Sequence, residues 1–210
     1  RKPRDSQIVN EAGEARVWVD YRSARPGLWI FGAGDDAKPM HKIARELGWF
    51  VAVADGRTHL CTPERFPAAD AVIPLVICDL PGSAPVELDL HAGDAAVLAT
   101  HSYEQDTHIL AFLLGGPLRR RPAYIGILGP QRRTREALGD AARLLGITPT
   151  TEMVDQRLGE INGPTGLDLG ADTPASIALS ILAEVQKSLT ASSALPLKSV
   201  RGLRAAAQTR

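Results

Sequence analysis

The sequence predicts an α/β fold with a doubly wound, mostly parallel sheet of Rossmann type and an N-terminal β-hairpin. Short continuous apolar runs, typical of strands buried on both faces, alternate with segments of helical periodicity. The first run leads directly into a glycine turn that opens a helix, and the second run follows within about 30 residues, as in a βαβ unit. The 210 residues leave room for one main domain of about 150 residues, together with edges and tails.

The N-terminal segment, residues 1–27, is predicted to consist of the hairpin and a linker. Hydrophobic and polar residues alternate over 16–21, a shorter apolar stretch lies at 7–9, and the residues between them are typical of a turn. A short linker with Pro and Gly follows. We expect the hairpin, residues 7–22, to lie at an edge of the domain, where it offers a surface for a homodimer.

The Rossmann-like domain is predicted to occupy residues 28–189. Thr173 and Pro174 are typical of a helix start, and Ser102 and Gln105 have the spacing of a capping box. The predicted strands cover residues 28–31, 50–54, 71–73, 95–100 and 124–128. The predicted helices cover residues 36–47, 102–114, 131–145 and 173–189.

The last segment, residues 190–210, contains basic residues and no acidic residue, and it is predicted to be a basic tail or a short docking arm. Over the whole chain, 24 Lys and Arg balance 24 Asp and Glu, which gives no general attraction to nucleic acid or to an anionic membrane. Any anion-binding site must therefore be local.

Localisation is predicted from what the sequence does not contain. No apolar run approaches the roughly 18 residues of a membrane span, and the N-terminus lacks the apolar core of a signal peptide. The two cysteines, Cys61 and Cys78, have neither the spacing of a disulfide framework nor that of a metal site. We expect a cytoplasmic protein without a metal centre.

The first candidate site is the glycine turn, residues 32–37, with the G-x-G-x-x-A pattern after a strand and before a helix. Gly32 permits the tight turn, and Gly34 lets a phosphate approach the backbone. Asp55 follows Gly32 by 23 residues, at the end of the second strand, where a carboxylate binds ribose hydroxyls. These features predict a dinucleotide-type site; the alternative is a turn that serves packing alone.

Two acidic residues complicate this site. Asp35 and Asp36 lie beside the expected phosphate position, where they favour the helix dipole but repel a pyrophosphate. Three arrangements are open: a divalent cation bridges the two carboxylates to the phosphates, the carboxylates point away from the phosphates, or the carboxylates take the place of the phosphates so that no nucleotide binds. We expect that they point away. Arg57 is a candidate for binding a 2′-phosphate or else a solvated arginine, so the sequence leaves NAD and NADP both open.

The second candidate site follows the fourth strand. Thr100 and His101 lie at its carboxyl end, which faces the ligand crevice in an open α/β sheet. His101 is a candidate general acid or base, or a ligand for a metal or a pterin oxygen, and Asp106 is placed to orient it. The alternative is a structural histidine at the strand end.

Two further candidates follow the fifth strand. Arg132 and Arg133 stand near the N-terminus of the third predicted helix, where exposed amides and guanidinium groups together favour an anion. Residues 162–174 are rich in turn formers, which indicates a loop of defined shape, and Asp168 is its best candidate for a polar ligand.

Taken in order, several blocks of the sequence resemble the XdhC/CoxI family of xanthine dehydrogenase accessory proteins. The most specific block is residues 163–174, together with the helix residues 177–184 that follow it. The resemblance extends over about residues 15 to 188. The blocks are residues 28–34, 53–57, 99–101, 124–129 and 163–174.

The resemblance implies a function in the maturation of molybdenum hydroxylases. Such an accessory protein or chaperone binds molybdenum cofactor or its nucleotide and delivers it to the apo-enzyme. Its partner would be a molybdenum hydroxylase of the xanthine or CO dehydrogenase type, or a molybdenum cofactor nucleotidyltransferase. The chain would be the Rossmann half of such a protein, without the cysteine-bearing N-terminal half.

The resemblance also assigns roles to the candidate residues. Gly32, Gly34 and Asp55 would form the dinucleotide-like site, His101 and Asp106 would face the crevice, and the remaining residues would complete an anion-binding rim. That rim is made of Arg132, Arg133 and Asp168. The bound cofactor would be of the molybdopterin type or an NAD(P)-like dinucleotide. Two other functions stay open, an NAD(P)-dependent oxidoreductase and a nucleotide-sensing regulatory domain.

Overall fold

A computed structural model describes most of the Rossmann-like domain and two short pieces of the N-terminal segment. The described residues are 24–75, 88–116 and 121–200, with the backbone alone at 8–9 and 17–18. The two pieces are strands β1 (Ile8–Val9) and β2 (Val17–Trp18), which pair antiparallel as the predicted hairpin requires. The rest of the hairpin lies outside the described residues, as does the end of the basic tail.

The central sheet has five strands in the order β5-β4-β3-β6-β7, and all neighbouring pairs are parallel. This arrangement confirms the predicted Rossmann-type sheet, because the chain runs outward from β3 in one direction and then from β6 in the other. The strands are β3 (Gly27–Phe31), β4 (Phe50–Asp55), β5 (Ala71–Pro74), β6 (Ala95–Leu98) and β7 (Tyr124–Ile127).

The predicted helices are all present, within a few residues of the expected bounds, and the described residues contain an additional helix between the third and the last predicted ones. Thr150 caps the additional helix, α4, by accepting a hydrogen bond from the Met153 backbone N–H at 3.2 Å. With eight residues and Val154 as its buried residue, α4 is too short for a clear hydrophobic period. The helices are α1 (Ala37–Glu46), α2 (Tyr103–Gly115), α3 (Gln131–Leu144), α4 (Thr151–Leu158) and α5 (Pro174–Thr190).

The core consists of two hydrophobic layers, one on each face of the sheet. Alternate residues of β3 separate into them, because successive side chains of a strand point to opposite faces. Leu28 and Ile30 pack with α1 and α5, whereas Trp29 and Phe31 pack with α2 and α3. Helices α1 and α2, which follow the neighbouring strands β3 and β6, therefore lie on opposite faces of the sheet.

The glycine turn brings the end of β3 against the end of β6. Gly32 has a φ of +125°, which L side chains rarely adopt, and a Cβ there would lie 2.3 Å from the carbonyl oxygen of Ala99. Its backbone N–H donates to the carbonyl oxygen of Ala54 at 2.8 Å, which ties the turn to β4 as well. This position accepts no side chain without movement of the backbone of β6.

Substitution of Gly32 by Ala is therefore expected to lower the free energy of unfolding by at least about 2 kcal/mol, through left-handed strain and the clash with Ala99. Urea denaturation followed by circular dichroism measures the change. Gly93→Ala is the matched control, because a Cβ at Gly93 meets nothing within 4 Å. Equal stability of the two variants would contradict the close approach.

Helix α1 buries a histidine on the face that packs against the sheet. His41 has no exposed surface, its Nδ1 lies 3.3 Å from the carbonyl oxygen of Ala37, and its ring meets Phe66 edge-on at 5.1 Å between centroids. Its Nε2 has no partner among the described residues. Burial lowers the pKa of His41, because the apolar surroundings disfavour the imidazolium ion.

We expect the fold to lose stability as the pH falls below about 6.5, the usual pKa of histidine in an unfolded chain. The unfolded state then binds a proton that buried His41 resists, which costs at most about 1.4 kcal/mol per pH unit. Urea unfolding at several pH values measures the slope for the wild type and for His41→Gln. The slope should be shallower in His41→Gln and unchanged in His59→Gln, which alters an exposed histidine; identical slopes in all three would disprove the assignment.

Candidate functional site

The candidate site lies at the carboxyl ends of β3 and β6, where the sheet order reverses. Helices α1 and α2 leave these two strands on opposite faces, which opens a crevice at the switch point of the sheet. The glycine turn forms one wall of this crevice and the β6–α2 connection forms the other. Ligands of open α/β sheets bind at this place.

Asp55, at the end of β4, is buried and holds the glycine turn. Its Oδ2 accepts hydrogen bonds from the Ala33 backbone N–H at 2.6 Å and from Arg57 Nη2 at 2.7 Å. Its Oδ1 accepts from the Arg57 backbone N–H at 2.7 Å and from Arg57 Nε at 3.1 Å. The carboxylate has no exposed surface. Each oxygen therefore has two donors, and the carboxylate is saturated.

The protonation of Asp55 follows from these bonds. Burial raises the pKa of Asp55, but the hydrogen bonds from Arg57 and from the Ala33 backbone outweigh burial and leave the pKa below its usual value. Asp55 in turn raises the pKa of Arg57. Asp55 and Arg57, for which the sequence predicts a ribose ligand and either a 2′-phosphate or solvent, form an ion pair in which the arginine covers the carboxylate.

The two acidic residues of the turn point in different directions. Asp35 is 77% exposed and forms ion pairs with Lys38 at 2.7 Å and Arg65 at 3.3 Å, which lower its pKa. Asp36 instead reaches across the crevice, where its Oδ2 lies 2.9 Å from His101 Nε2. Asp36 therefore faces the crevice, although the sequence analysis expects both acids to point away.

His101 lies over the glycine turn in a left-handed backbone conformation, with φ +59°. Its Cδ2 is the atom nearest to the position that a Cβ on Gly34 would occupy, at 3.9 Å. The hydrogen bonds of Asp106, which the sequence places to orient His101, are with Thr100 and Arg133. Asp106 is buried beneath the crevice at the start of α2, and Asp36 is the residue that contacts the imidazole.

Asp106 instead joins Thr100 to α3. The Thr100 hydroxyl donates to its Oδ1 at 2.6 Å, and Arg133 Nη2 donates to its Oδ2 at 2.8 Å. Burial raises the pKa of Asp106, against the opposing effects of Thr100 and Arg133. The network ties the end of β6 and the start of α2 to the N-terminus of α3.

The structure does not bring the predicted anion-binding rim together. Arg133 is engaged by Asp106, whereas Arg132 is 88% exposed and lies 3.7 Å from Glu136 of its own helix. Asp168 is exposed in the loop before α5. The two arginines point apart because neighbouring residues of a helix lie about 100° apart around its axis.

Sequence reasoning missed a polar cluster that fixes the loop before α5. The Tyr124 hydroxyl donates to Glu184 Oε2 at 2.6 Å and also lies 2.5 Å from Thr165 Oγ1, and the Gly166 backbone N–H donates to the same Glu184 oxygen at 2.8 Å. Burial, together with Glu184, raises the pKa of Tyr124. The cluster supports the predicted defined loop shape.

Fold and crevice together define a Rossmann-type domain, with the glycine turn at the switch point of the sheet. The family comparison is more specific. The model of the family described as the XdhC Rossmann domain matches residues 28–185, and the chain belongs to that family.

Three similar proteins extend this comparison. A probable xanthine dehydrogenase subunit from Bacillus subtilis is 35% identical over 169 residues, and the uncharacterized protein YqeB from Escherichia coli is 29% identical over 173 residues. A crystal structure of a xanthine dehydrogenase from Bacillus halodurans is similar with a TM-score of 0.62 and 29% identity. The matches include 80%, 82% and 80% of this chain, respectively.

The chain spans less than half the length of these relatives: 44% of the Bacillus subtilis protein, 29% of YqeB and 44% of the Bacillus halodurans chain. Among the described residues, the structure contains no helix that is both long and apolar enough to cross a membrane.

We expect Arg133→Ala to lower the free energy of unfolding by about 2–4 kcal/mol, because it leaves the buried Asp106 carboxylate without its cation. Arg132→Ala, one residue away and solvent-exposed, should change stability by less than about 0.5 kcal/mol. Urea denaturation of both variants measures the difference. Equal losses would show that the Asp106 contact does not stabilise the fold.

Proposed function

We propose that this chain acts in the maturation of a molybdenum hydroxylase of the xanthine dehydrogenase type. In this proposal it binds a molybdopterin-type cofactor or its nucleotide and delivers the cofactor to the apo-enzyme. Membership of the XdhC Rossmann domain family supports the proposal, as do two relatives whose names refer to xanthine dehydrogenase. The recipient is the hydroxylase itself or a molybdenum cofactor nucleotidyltransferase.

The observation that carries the proposed ligand site is the open space above Gly34. This residue has no positive φ, and a Cβ there would meet only His101, at ordinary contact distance. The fold therefore tolerates a side chain at Gly34, unlike at Gly32, and leaves the backbone uncovered at the N-terminus of α1. An uncovered backbone at this place allows a phosphate to approach the amides of the turn.

Two neighbours would complete a site for the phosphate end of a pterin cofactor. His101 lies beside Gly34, on the β6 side of the crevice, where its imidazole can donate a hydrogen bond to a phosphate oxygen. Thr100, below it, is fixed by Asp106, so the β6 wall of the site is rigid. The protein would supply binding and orientation, while the reactivity belongs to the cofactor.

The alternative of an NAD(P)-dependent oxidoreductase has less support from the geometry. A nicotinamide dinucleotide site uses the carboxylate at the end of the second strand of the βαβ unit for the ribose. That carboxylate is Asp55, whose oxygens are covered by Ala33 and Arg57. A nucleotide-sensing regulatory domain would share the ligand site and differ in showing ligand-dependent partner binding without cofactor transfer.

The Gly34→Ala substitution tests the ligand site. A methyl group above the turn should weaken binding of molybdopterin or its dinucleotide by at least about tenfold, because it blocks the close approach of a phosphate to the backbone. Stability should be unchanged or rise by about 0.4–1 kcal/mol, the usual effect of Gly→Ala at a compatible conformation. Equilibrium dialysis with fluorimetric detection of the pterin measures binding.

Gly93→Ala, which adds a methyl group in open space away from the crevice, should bind as the wild type does. Unchanged affinity in Gly34→Ala, or no measurable binding by the wild type, would reject the ligand site. Transfer is measured separately, as activation of an apo-hydroxylase by the loaded protein.

A further inference from the structure

We propose that the N-terminal hairpin, residues 7–22, docks its apolar face into a cleft at the amino ends of β3, β4 and β5 of the same chain. The cleft lies at the opposite edge of the sheet from the crevice at the carboxyl ends. The inference is therefore independent of the proposed ligand site. It concerns the surface that the domain offers to the residues that precede it.

The cleft is wide and has aromatic walls. Its volume is about 670 Å³, within the range of cavities that bury a drug-sized molecule. Trp29 and Phe50 line it, with their ring centroids 6.1 Å apart and their planes tilted by 50°. Ile73 of β5 and Pro26, just before β3, line it as well.

The described part of the domain covers the apolar wall of the cleft only in part. Phe50, Ala71 and Ile73 extend the hydrophobic layer that contains α2 and α3, but each of them is only half-buried. Further apolar surface placed over these residues would be removed from water together with them, which favours docking.

Asp94 holds the floor of the cleft in place. Its Oδ1 accepts a hydrogen bond from the Gly27 backbone N–H at 2.9 Å. Its Oδ2 accepts from Trp29 Nε1 at 3.2 Å and from the His91 backbone N–H at 2.8 Å. The carboxylate thus fixes the indole ring and joins the start of β3 to the segment before β6. The cleft is preformed, so docking need not first reorganise it.

The hairpin has an apolar face that its two strands cannot cover by themselves. In the antiparallel pair of β1 and β2, Val9 lies opposite Val17, which places these two residues on one face. The alternation in the sequence extends that face to Val19 and Tyr21. A two-stranded hairpin is at best marginally stable in water unless a hydrophobic face packs on another element.

The connection from β2 to the domain keeps the hairpin close to the cleft. The chain reaches the rim of the cleft at Ala24, six residues after Trp18. Six residues span at most about 22 Å even when fully extended. A tether of this length gives an effective concentration on the order of millimolar, far above that of a second molecule in dilute solution. The hairpin of the same chain is therefore favoured over that of another copy.

Charges on the two surfaces allow pairing across the contact. The rim of the cleft carries exposed residues of both signs, Arg25 and Asp89. The second strand of the hairpin also carries both signs, with Arg16 and Asp20. Opposite charges at the rim would orient the hairpin, while the apolar face supplies the main driving force.

Hydrogen exchange followed by mass spectrometry tests the docking on the full chain. The backbone amides of residues 16–22 should exchange at least about tenfold more slowly in the wild type than in Ile73→Asp, because an aspartate in the cleft wall opposes burial of the hairpin face. The amides of α5 report whether the domain itself stays folded, and they should exchange alike in both proteins.

Gly93→Glu is a second variant, which decides the test if Ile73→Asp also loosens α5. Gly93 lines the cleft and a Cβ there meets nothing within 4 Å, so a glutamate fills and charges the cleft without a clash at its Cβ. It should accelerate the exchange of residues 16–22 as Ile73→Asp does. Leu179→Asp is the matched control, because it places an aspartate at an exposed leucine of α5, which packs in the other hydrophobic layer. It should leave the exchange of residues 16–22 as slow as in the wild type.

Equal exchange of residues 16–22 in the wild type and in the two cleft variants would overturn the docking. Exchange in the wild type at the rate of an unstructured peptide would overturn it too. Light scattering at several protein concentrations identifies the copy that supplies the hairpin. Slow exchange in a monomer supports the proposal, whereas slow exchange confined to a dimer assigns the cleft to the hairpin of a second copy and overturns it.

Discussion

The close approach of two backbones at Gly32 is the constraint on which the rest of the site depends. Because a Cβ at this position would lie 2.3 Å from the Ala99 carbonyl oxygen, β3 and β6 can end side by side only with glycine here. Their ends carry the two walls of the crevice: the glycine turn leads into α1, and Thr100 and His101 lead into α2. Without this contact Gly34 and His101 would not face each other across the crevice, where a Cβ on Gly34 would lie 3.9 Å from the imidazole.

The acids at this edge of the sheet hold the backbone, and the cations that pair with them keep part of their surface open to solvent. Asp55 and Asp106 are buried and stabilise the turn and the start of α2. Their partners, Arg57 and Arg133, keep 36% and 31% of their side chains exposed. The buried carboxylates thus fix the positions of guanidinium groups at the rim. In each of these two pairs the guanidinium group, and not the carboxylate, therefore reaches the surface.

The strands and the glycine turn could be predicted from the sequence because each depends on a local pattern. The side-chain pairings could not be predicted, because they depend on how closely the fold brings together residues that are distant in the chain. Asp106 follows His101 by only five residues, yet the start of α2 directs it inward to Thr100 and Arg133. Asp36 and His101 are 65 positions apart, and only the parallel register of β3 and β6 brings them together. Helix α4 is not predicted because eight residues give too little hydrophobic periodicity.

The contact between His101 and Asp36 spans the crevice without closing it firmly. The His101 side chain is 60% exposed and that of Asp36 is 25% exposed, so water and salt screen the pair and its contribution to stability is small. The left-handed backbone of His101 adds a cost of about 1–3 kcal/mol, which the surrounding bonds of Thr100 and Ser102 must offset. A weak contact is thus joined to a residue in a strained backbone conformation, at the place where the ends of β3 and β6 meet.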